Sequence, residues 1–331
     1  MTPEVTVLMP FHREPDDYFF KAVESVNASE NVKVSILLID DRKARISKIP
    51  TFKNSKIITT HGVGYANALN EAKGAANTEY VGLMNSDDLI HPRRFILQIQ
   101  AIMNSTVPVA ICGIKNFGSV WASKNILGTA PKRFYSKSLL QLGAYGANAT
   151  LLAKNDFFRI PRWENIDMSD WKFALDFYPE EISLNFVNSN LYFYRRHSEQ
   201  VTQSSRTISP EILKSLSRQN IALGIGAFPD TVLIAGGAPF LFPRLNQQEI
   251  NYFFEYMQNI FDFLAPSLSA NDVRYVREII IRRLLLANGG KLLMKSVTYK
   301  NQLFSIEDLI VALAKFNRDI IFRFLDKIRF K

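Results

Sequence analysis

Two carboxylate clusters and one basic triplet carry the chemistry that can be read from this 331-residue chain. Asp40 and Asp41 close one apolar run, and Asn85, Ser86, Asp87 and Asp88 close another. Grouped carboxylates offer hard oxygen ligands to a cation such as Mg2+ or Mn2+. Aspartates at strand ends also cap helices and close Asx turns, so either pair alone reads equally well as backbone support. Arg195, Arg196 and His197 form the basic triplet. Arginine forks pair with phosphate oxygens, and a histidine beside them is either a metal ligand or a structural hydrogen-bonding group. Asp167 and Asp170 lie between Trp163 and Trp171. A carboxylate there serves as a general base or starts a helix, and the tryptophans offer faces to a sugar ring or fill a core.

The elements that must position these groups alternate in type. Residues 5–9 (VTVLM), 34–39 (VSILLI), 56–59 and 80–84 read as short buried strands. Residues 18–26, 64–76 and 93–103 have helical spacing. Wholly apolar strands alternating with helices predict a parallel sheet covered on both faces. In such sheets ligands bind beyond the carboxyl ends of the strands, where both aspartate clusters sit. Near residue 205 the character changes. Residues 211–223, 247–264, 273–287 and 306–328 have helical patterns, whereas 224–243 collects Gly and Pro and reads as irregular. The predicted division is an α/β domain at 1–205 and a mostly helical domain at 206–331.

Composition narrows the function classes. The hydrophobic fraction is 47% and the charged fraction 21%, which suits a globular protein. A lone cysteine, Cys112, excludes an intrachain disulfide and a cysteine zinc site, in keeping with a reducing, cytoplasmic setting. The run at 5–9 is too short for a signal-peptide core, and no apolar stretch is long enough to span a bilayer. The string Gly62-Val63-Gly64 lacks the third glycine of a dinucleotide fingerprint, since position 67 is Asn67, and it does not follow the first strand.

The stretch 68–88, ALNEAKGAANTEYVGLMNSDD, resembles the central signature of the family 2 inverting glycosyltransferases. The opening VTVLMPFHRE resembles that family's first strand, and VSILLIDD its second. Ser169-Asp170-Trp171 with Phe173-Ala174-Leu175, and then Tyr194-Arg195-Arg196-His197, resemble its later motifs in the same order. The resemblance covers about residues 5–205 and implies a GT-A-type, Rossmann-like mixed sheet with flanking helices. It implies transfer of a sugar from a nucleotide-sugar donor, a UDP-sugar by expectation, to a hydroxyl of a glycan or lipid-linked acceptor of the bacterial surface-polysaccharide type. By the same resemblance Asp87, Asp88 and His197 hold Mn2+ or Mg2+ against the diphosphate. Pro10, His12, Asp41, Asn85 and Arg195 bind the nucleotide, and Asp170 is the base that takes the acceptor proton. Asn70 matches the family's helix asparagine. The chain departs from the pattern twice, with Asn85 where an aspartate is usual and Ser169 where a glutamate is usual. These departures motivate the alternative of a degenerate, non-catalytic homologue that acts as a binding partner. A sugar-nucleotide pyrophosphorylase would place a glycine-rich basic loop after the first strand, where this chain has PFHREP.

The net charge is +9, and residues 272–331 hold 13 Lys/Arg against 6 Asp/Glu. Residues 316–331 read as a basic amphipathic helix. That helix suits peripheral contact with an anionic membrane, packing within a helical domain, or a homo-oligomer contact. The basic residues are diluted by apolar ones and no recognition motif appears, so nucleic acid is not an expected partner.

Overall fold

The computed structural model describes residues 1–12, 14–42, 51–118, 148–159, 162–177, 185–197, 208–237 and 245–267, with 273, 276 and 277. The described residues fall into two compact units, one ending at 197 and the other beginning at 208.

The first unit is built on an eight-stranded sheet of order β3-β2-β1-β4-β7-β6-β8-β5. Strands β1 (Glu4–Phe11), β2 (Lys33–Asp40), β3 (Ser55–Thr59) and β4 (Tyr80–Leu83) pair in parallel. Every residue of β1 after Glu4 is buried, as a central strand covered on both faces requires. Helices α1 (Asp16–Asn27), α2 (Tyr65–Ala72) and α3 (Arg94–Met103) connect these strands and lead on from them. The apolar face of α1, with Phe19, Ala22, Val23 and Val26, joins the same core as Val5, Val7, Ile36 and Leu38 of the sheet. Each such aliphatic side chain contributes about 1.5–3 kcal/mol when fully buried.

Beyond β4 the sheet stops being parallel. Strand β7 (Leu152–Lys154) runs antiparallel to both β4 and β6 (Val109–Phe117). Strand β8 (Asn185–Arg195) lies parallel to β6, and the two-residue β5 (Leu89–Ile90) pairs antiparallel with the end of β8. The helix–strand alternation that predicts parallel pairing therefore holds for β1 to β4, and the whole is the mixed sheet that the family resemblance implies. Short helices α4 (Asn155–Arg159) and α5 (Ser169–Phe177) complete this unit.

In the second unit the described elements are helical: α6 (Pro210–Ala222), α7 (Asp230–Gly237) and α8 (Gln247–Leu264). Ser209 caps α6 and Pro210 stands in its first turn; Asn246 and Glu249 form a reciprocal capping box at α8. The span 224–243, expected to be irregular, contains α7. Its alternation of small and apolar residues packs closely, and Gly236 lies so near Tyr256 that a Cβ would come within 2.7 Å of the ring. The basic helix expected at 316–331 lies outside the described residues. Among the described residues no helix is long and apolar enough to cross a membrane.

Candidate active site

The site forms beyond the carboxyl ends of β1, β2 and β4, where β8 delivers its last residues alongside. Pro10 is buried within β1, opposite Ile39. His12 follows the strand, and its Nδ1 lies 2.9 Å from the Asp41 carbonyl. Its backbone N–H donates to the Glu14 carboxylate at 2.7 Å.

The two aspartates at the end of β2 face different partners. Asp40 is fully buried and receives the fork of Arg42, Nε to Oδ1 at 2.8 Å and Nη2 to Oδ2 at 3.0 Å. That hydrogen bond holds the Arg42 guanidinium above its ordinary pKa. Asp41 is 5% exposed and accepts from the Thr60 hydroxyl at 2.8 Å and from the Gly64 N–H at 2.9 Å. It thereby fixes the turn that opens α2. His61, Gly62 and Gly64 all adopt positive φ in this turn, at 58°, 74° and 91°. The expected nucleotide-binding group Asp41 is thus also the staple of the α2 entry, a role the sequence reading did not give it.

The cluster after β4 divides in the same way. Asp87 keeps its side chain 17% exposed, and its Oδ2 lies 2.9 Å from His197 Nε2. Asp88, expected beside it as a second cation ligand, turns inward instead. It is fully buried; Oδ2 accepts from the Tyr192 hydroxyl at 2.6 Å and from Asn85 Nδ2 at 3.0 Å, and Oδ1 accepts from the Arg195 N–H at 2.7 Å. Burial first, and then the neighbouring Asp87 charge, push its pKa up to about 7. Its three donors make it a strut between the 85–88 loop and β8. Asn85 belongs to the same strut, since its N–H also donates to the Tyr192 hydroxyl at 3.2 Å.

Arg195, expected on the diphosphate, is 9% exposed and held in place. Its Nε donates to the Asp87 carbonyl at 2.6 Å, and its guanidinium lies 4.1 Å from the centre of the Tyr18 ring and 4.5 Å from that of Phe117. It is therefore a clamp on the 85–88 loop. Arg196 keeps partial exposure and lies 5.9 Å from the Tyr194 ring.

Asp170 stands in the first turn of α5. It is partly exposed and accepts from the Trp171 N–H at 2.9 Å. Burial pushes its carboxyl up to about 6, with the backbone bonds pulling the other way. Met168, two residues earlier, holds a positive φ of 58°, and both Trp171 and Lys172 donate to its carbonyl. A methionine in that conformation costs about 1–2 kcal/mol, a local strain of the kind found where a side chain must be aimed. Trp163 and Trp171 are each 1% exposed, and Trp163 stacks on Phe173 at 4.3 Å, so both are core rather than sugar platforms. Asn70 clamps this segment, giving Nδ2 to the Trp163 carbonyl at 2.7 Å and taking the Trp163 N–H at 3.0 Å.

Two residues that sequence reasoning missed complete the picture. Tyr65, first in α2, is 37% exposed, and its phenol is raised well above its ordinary pKa by burial and by the charges of Asp170, Asp88 and Asp87. It stays protonated. Arg94 is wholly buried under the 85–88 loop and donates to the carbonyls of Leu83, Ala149 and Leu151 and to Gln98. In sequence Arg94 reads as the polar start of a helix, so its burial left no signal there.

Asp87 Oδ2 and His197 Nε2 supply one carboxylate and one imidazole donor, a set that suits Mn2+ and, through its oxygen, Mg2+. Among the described residues no group of three such side chains converges. The remaining positions on such a cation would fall to water and phosphate oxygens, as is usual for these ions.

Comparisons with known proteins agree with this geometry. Residues 6–153, which carry β1 to β7 and the 85–88 loop, match the family model for glycosyl transferase family 2. The succinoglycan biosynthesis protein ExoO of Rhizobium meliloti (strain 1021) is 26% identical over 114 residues, 33% of this chain and 32% of ExoO, so the chain matches about a third of that relative's length. The crystal structure of S. aureus TarS 1-349 in complex with UDP-GlcNAc superposes with a TM-score of 0.52 at 13% identity, over 86% of each chain. Its complex with UDP gives 0.51, also at 13% identity and over 86% of each chain. At that identity the superposition speaks for the fold alone. The family match falls on the strands whose ends carry the aspartate clusters, and over residues 6–153 the chain is similar to glycosyl transferase family 2.

Proposed function

We propose that the chain transfers a sugar, with inversion, from a UDP-sugar to a hydroxyl of a polysaccharide or lipid-linked glycan. The observation that carries this reading is the meeting of the Asp87 carboxylate and the His197 imidazole, 2.9 Å apart beyond the carboxyl end of β4. A diphosphate leaving group needs its charge neutralised, and an attacking hydroxyl needs a base on the opposite side of the anomeric carbon. Asp87 and His197 would hold Mn2+ or Mg2+, which supplies Lewis-acid stabilisation of the departing diphosphate. Asp170, with its carboxyl at about 6, is ionised at neutral pH yet basic enough to accept the hydroxyl proton. His12 and Pro10 face the base of the nucleotide. The neutral phenol of Tyr65 donates a hydrogen bond into the space where the sugar sits.

The UDP-bound and UDP-GlcNAc-bound TarS structures support a uridine nucleotide as the donor class, and ExoO's role in succinoglycan biosynthesis supports a polysaccharide acceptor. The division at residue 205, peripheral membrane contact through the basic C-terminal segment, and a homo-oligomer remain part of the proposed picture. The experiment is a thermal-shift panel of UDP, GDP, dTDP and CMP, each with Mn2+ or with EDTA. A ligand at about 100 times its Kd stabilises the folded state by about 2.7 kcal/mol. UDP is expected to raise Tm with Mn2+, and Asp87→Ala to abolish the metal-dependent part. If no nucleotide shifts Tm under either condition, active transfer is wrong and the degenerate, partner-binding reading takes its place.

A further inference from the structure

Helix α1 carries none of the site residues expected from the sequence, yet one of its side chains reaches the cation end of the site. Tyr18 lies in the first turn of α1. Its ring meets the His197 ring edge-on, with centroids 5.7 Å apart and planes at 61°. The Arg195 guanidinium lies over the same ring at 4.1 Å, with Phe117 at 4.5 Å as a second aromatic neighbour.

These two partners of Tyr18 are the groups that fix Asp87. Arg195 holds the Asp87 carbonyl through Nε and reaches Asp88 through its backbone N–H. His197 meets the Asp87 carboxylate. His197 is the second residue after β8, where backbone pairing no longer fixes it, and the imidazole torsion is intrinsically broad. A histidine that ligates a metal is ordinarily oriented by an outer partner. Here the edge of an aromatic ring from another element supplies that orientation, and the stacked arginine ties the same ring to the backbone of Asp87.

We propose that Tyr18 is a positioning residue for the Asp87–His197 pair. It holds the imidazole and the Arg195 guanidinium so that one oxygen and one nitrogen donor converge on the same point. This rests on the reading of that pair as the holder of the donor's cation. The ring makes the contacts named here, so Tyr18→Phe preserves the function and Tyr18→Leu removes it.

The test uses the full chain with Tyr18→Phe and Tyr18→Leu, and two measurements. The first needs no ligand. The chain has four histidines, so the His197 imidazole resonance is assigned by its loss in His197→Gln. Wild type and Tyr18→Phe are expected to share one ring-shifted position, and Tyr18→Leu to move toward the unshifted value. The second is Mn2+ affinity at saturating UDP. Tyr18→Leu is expected to weaken it by about tenfold, the lower end of what outer-shell partners of metal ligands are worth, with Tyr18→Phe near wild type. UDP affinity in EDTA is expected to be equal in all three. If Tyr18→Leu is unfolded at the assay temperature, Tyr18→Met carries the same comparison. An unchanged His197 resonance together with unchanged Mn2+ affinity overturns the proposal. So does a loss of UDP affinity in EDTA as large as that in Mn2+, because a merely structural role would move both. Failure of wild type to bind Mn2+ with UDP would instead sink the donor-site reading, and the imidazole resonance would still decide whether Tyr18 braces His197.

Discussion

Asp170→Asn, measured across pH, tests the proposed base most directly. The side chain accepts one bond from the Trp171 N–H, and burial pushes its carboxyl up to about 6. If the ionised form takes the acceptor proton, the rate follows the ionised fraction. At a pKa of about 6 that fraction is about 90% at pH 7 and about 10% at pH 5, whereas an unshifted aspartate near 3.9 would still be about 90% ionised at pH 5. The structure therefore predicts that kcat/KM falls about tenfold between pH 7 and pH 5 through one ionisation. Asp170→Asn keeps the shape and removes the base, so it should lose about 100-fold to 10,000-fold in rate and flatten the limb near pH 6. The assay is UDP release from a panel of UDP-sugars at constant ionic strength, with Tm followed at each pH. Asp88, at about 7, also titrates in this range, and the mutant separates the two: an effect through Asp88 survives in Asp170→Asn. The same shift has a stability sign. The folded pKa lies above the unfolded one, so the contribution of Asp170 to stability is full below about pH 4 and is lost as pH rises through about 6. Activity of Asp170→Asn within threefold of wild type, or a limb near pH 6 that persists in it, would refute the assignment.

Three further outcomes follow from the buried groups. Asp88→Asn should flatten the pH dependence of Tm: with a folded pKa of about 7, wild type loses stability on the order of a few kcal/mol between about pH 4 and pH 7. Thermal unfolding at pH 5 and pH 8 checks this, and an equal slope in the variant contradicts it. Arg94→Met removes the buried donor to the carbonyls of Leu83 and Ala149, which should cost about 3 kcal/mol or more and lower Tm by about 6–12 °C. Gly64→Ala forces an L side chain to φ 91° with its Cβ 2.7 Å from Asn165 Oδ1, so it should destabilise by about 1–3 kcal/mol and disturb the α2 entry that Asp41 staples. Chemical denaturation measures that cost.

What the sequence made legible was the half of the sheet with regular alternation. The apolar runs that became β1 to β4 are bounded by Pro10, Asp40-Asp41 and Asn85–Asp88, and period and punctuation agree there. β6 and β8 were not readable as strands in the same way. β8 pairs in register with β6 only after shifts near Gly113, and seven of its eleven residues are partly or fully exposed. Helix α7 was hidden because Gly236 and Gly237, which count against a helix locally, let it pack close to Tyr256.

The candidate site was legible as a set of residue types and not as a division of labour. Four aspartates end or follow the two strands that flank β1, and sequence gives no means of telling which face the ligand. In the fold, Asp40 is matched by the Arg42 fork, Asp41 by Thr60 and Gly64, and Asp88 by Tyr192, Arg195 and Asn85. An ionised carboxylate in those buried positions would be costly without such donors, so burial and hydrogen bonding occur together. Asp87 alone of the four keeps a side chain in contact with both solvent and a histidine. Asn85 then makes physical sense as a departure from the family pattern. Its amide donates to Asp88 where a carboxylate would repel it, and one charge fewer beside Asp87 and Asp88 eases a cluster that burial already opposes. The substitution thus stabilises the strut that aims Asp87, and on this reading it argues for a working cation site rather than a degenerate one.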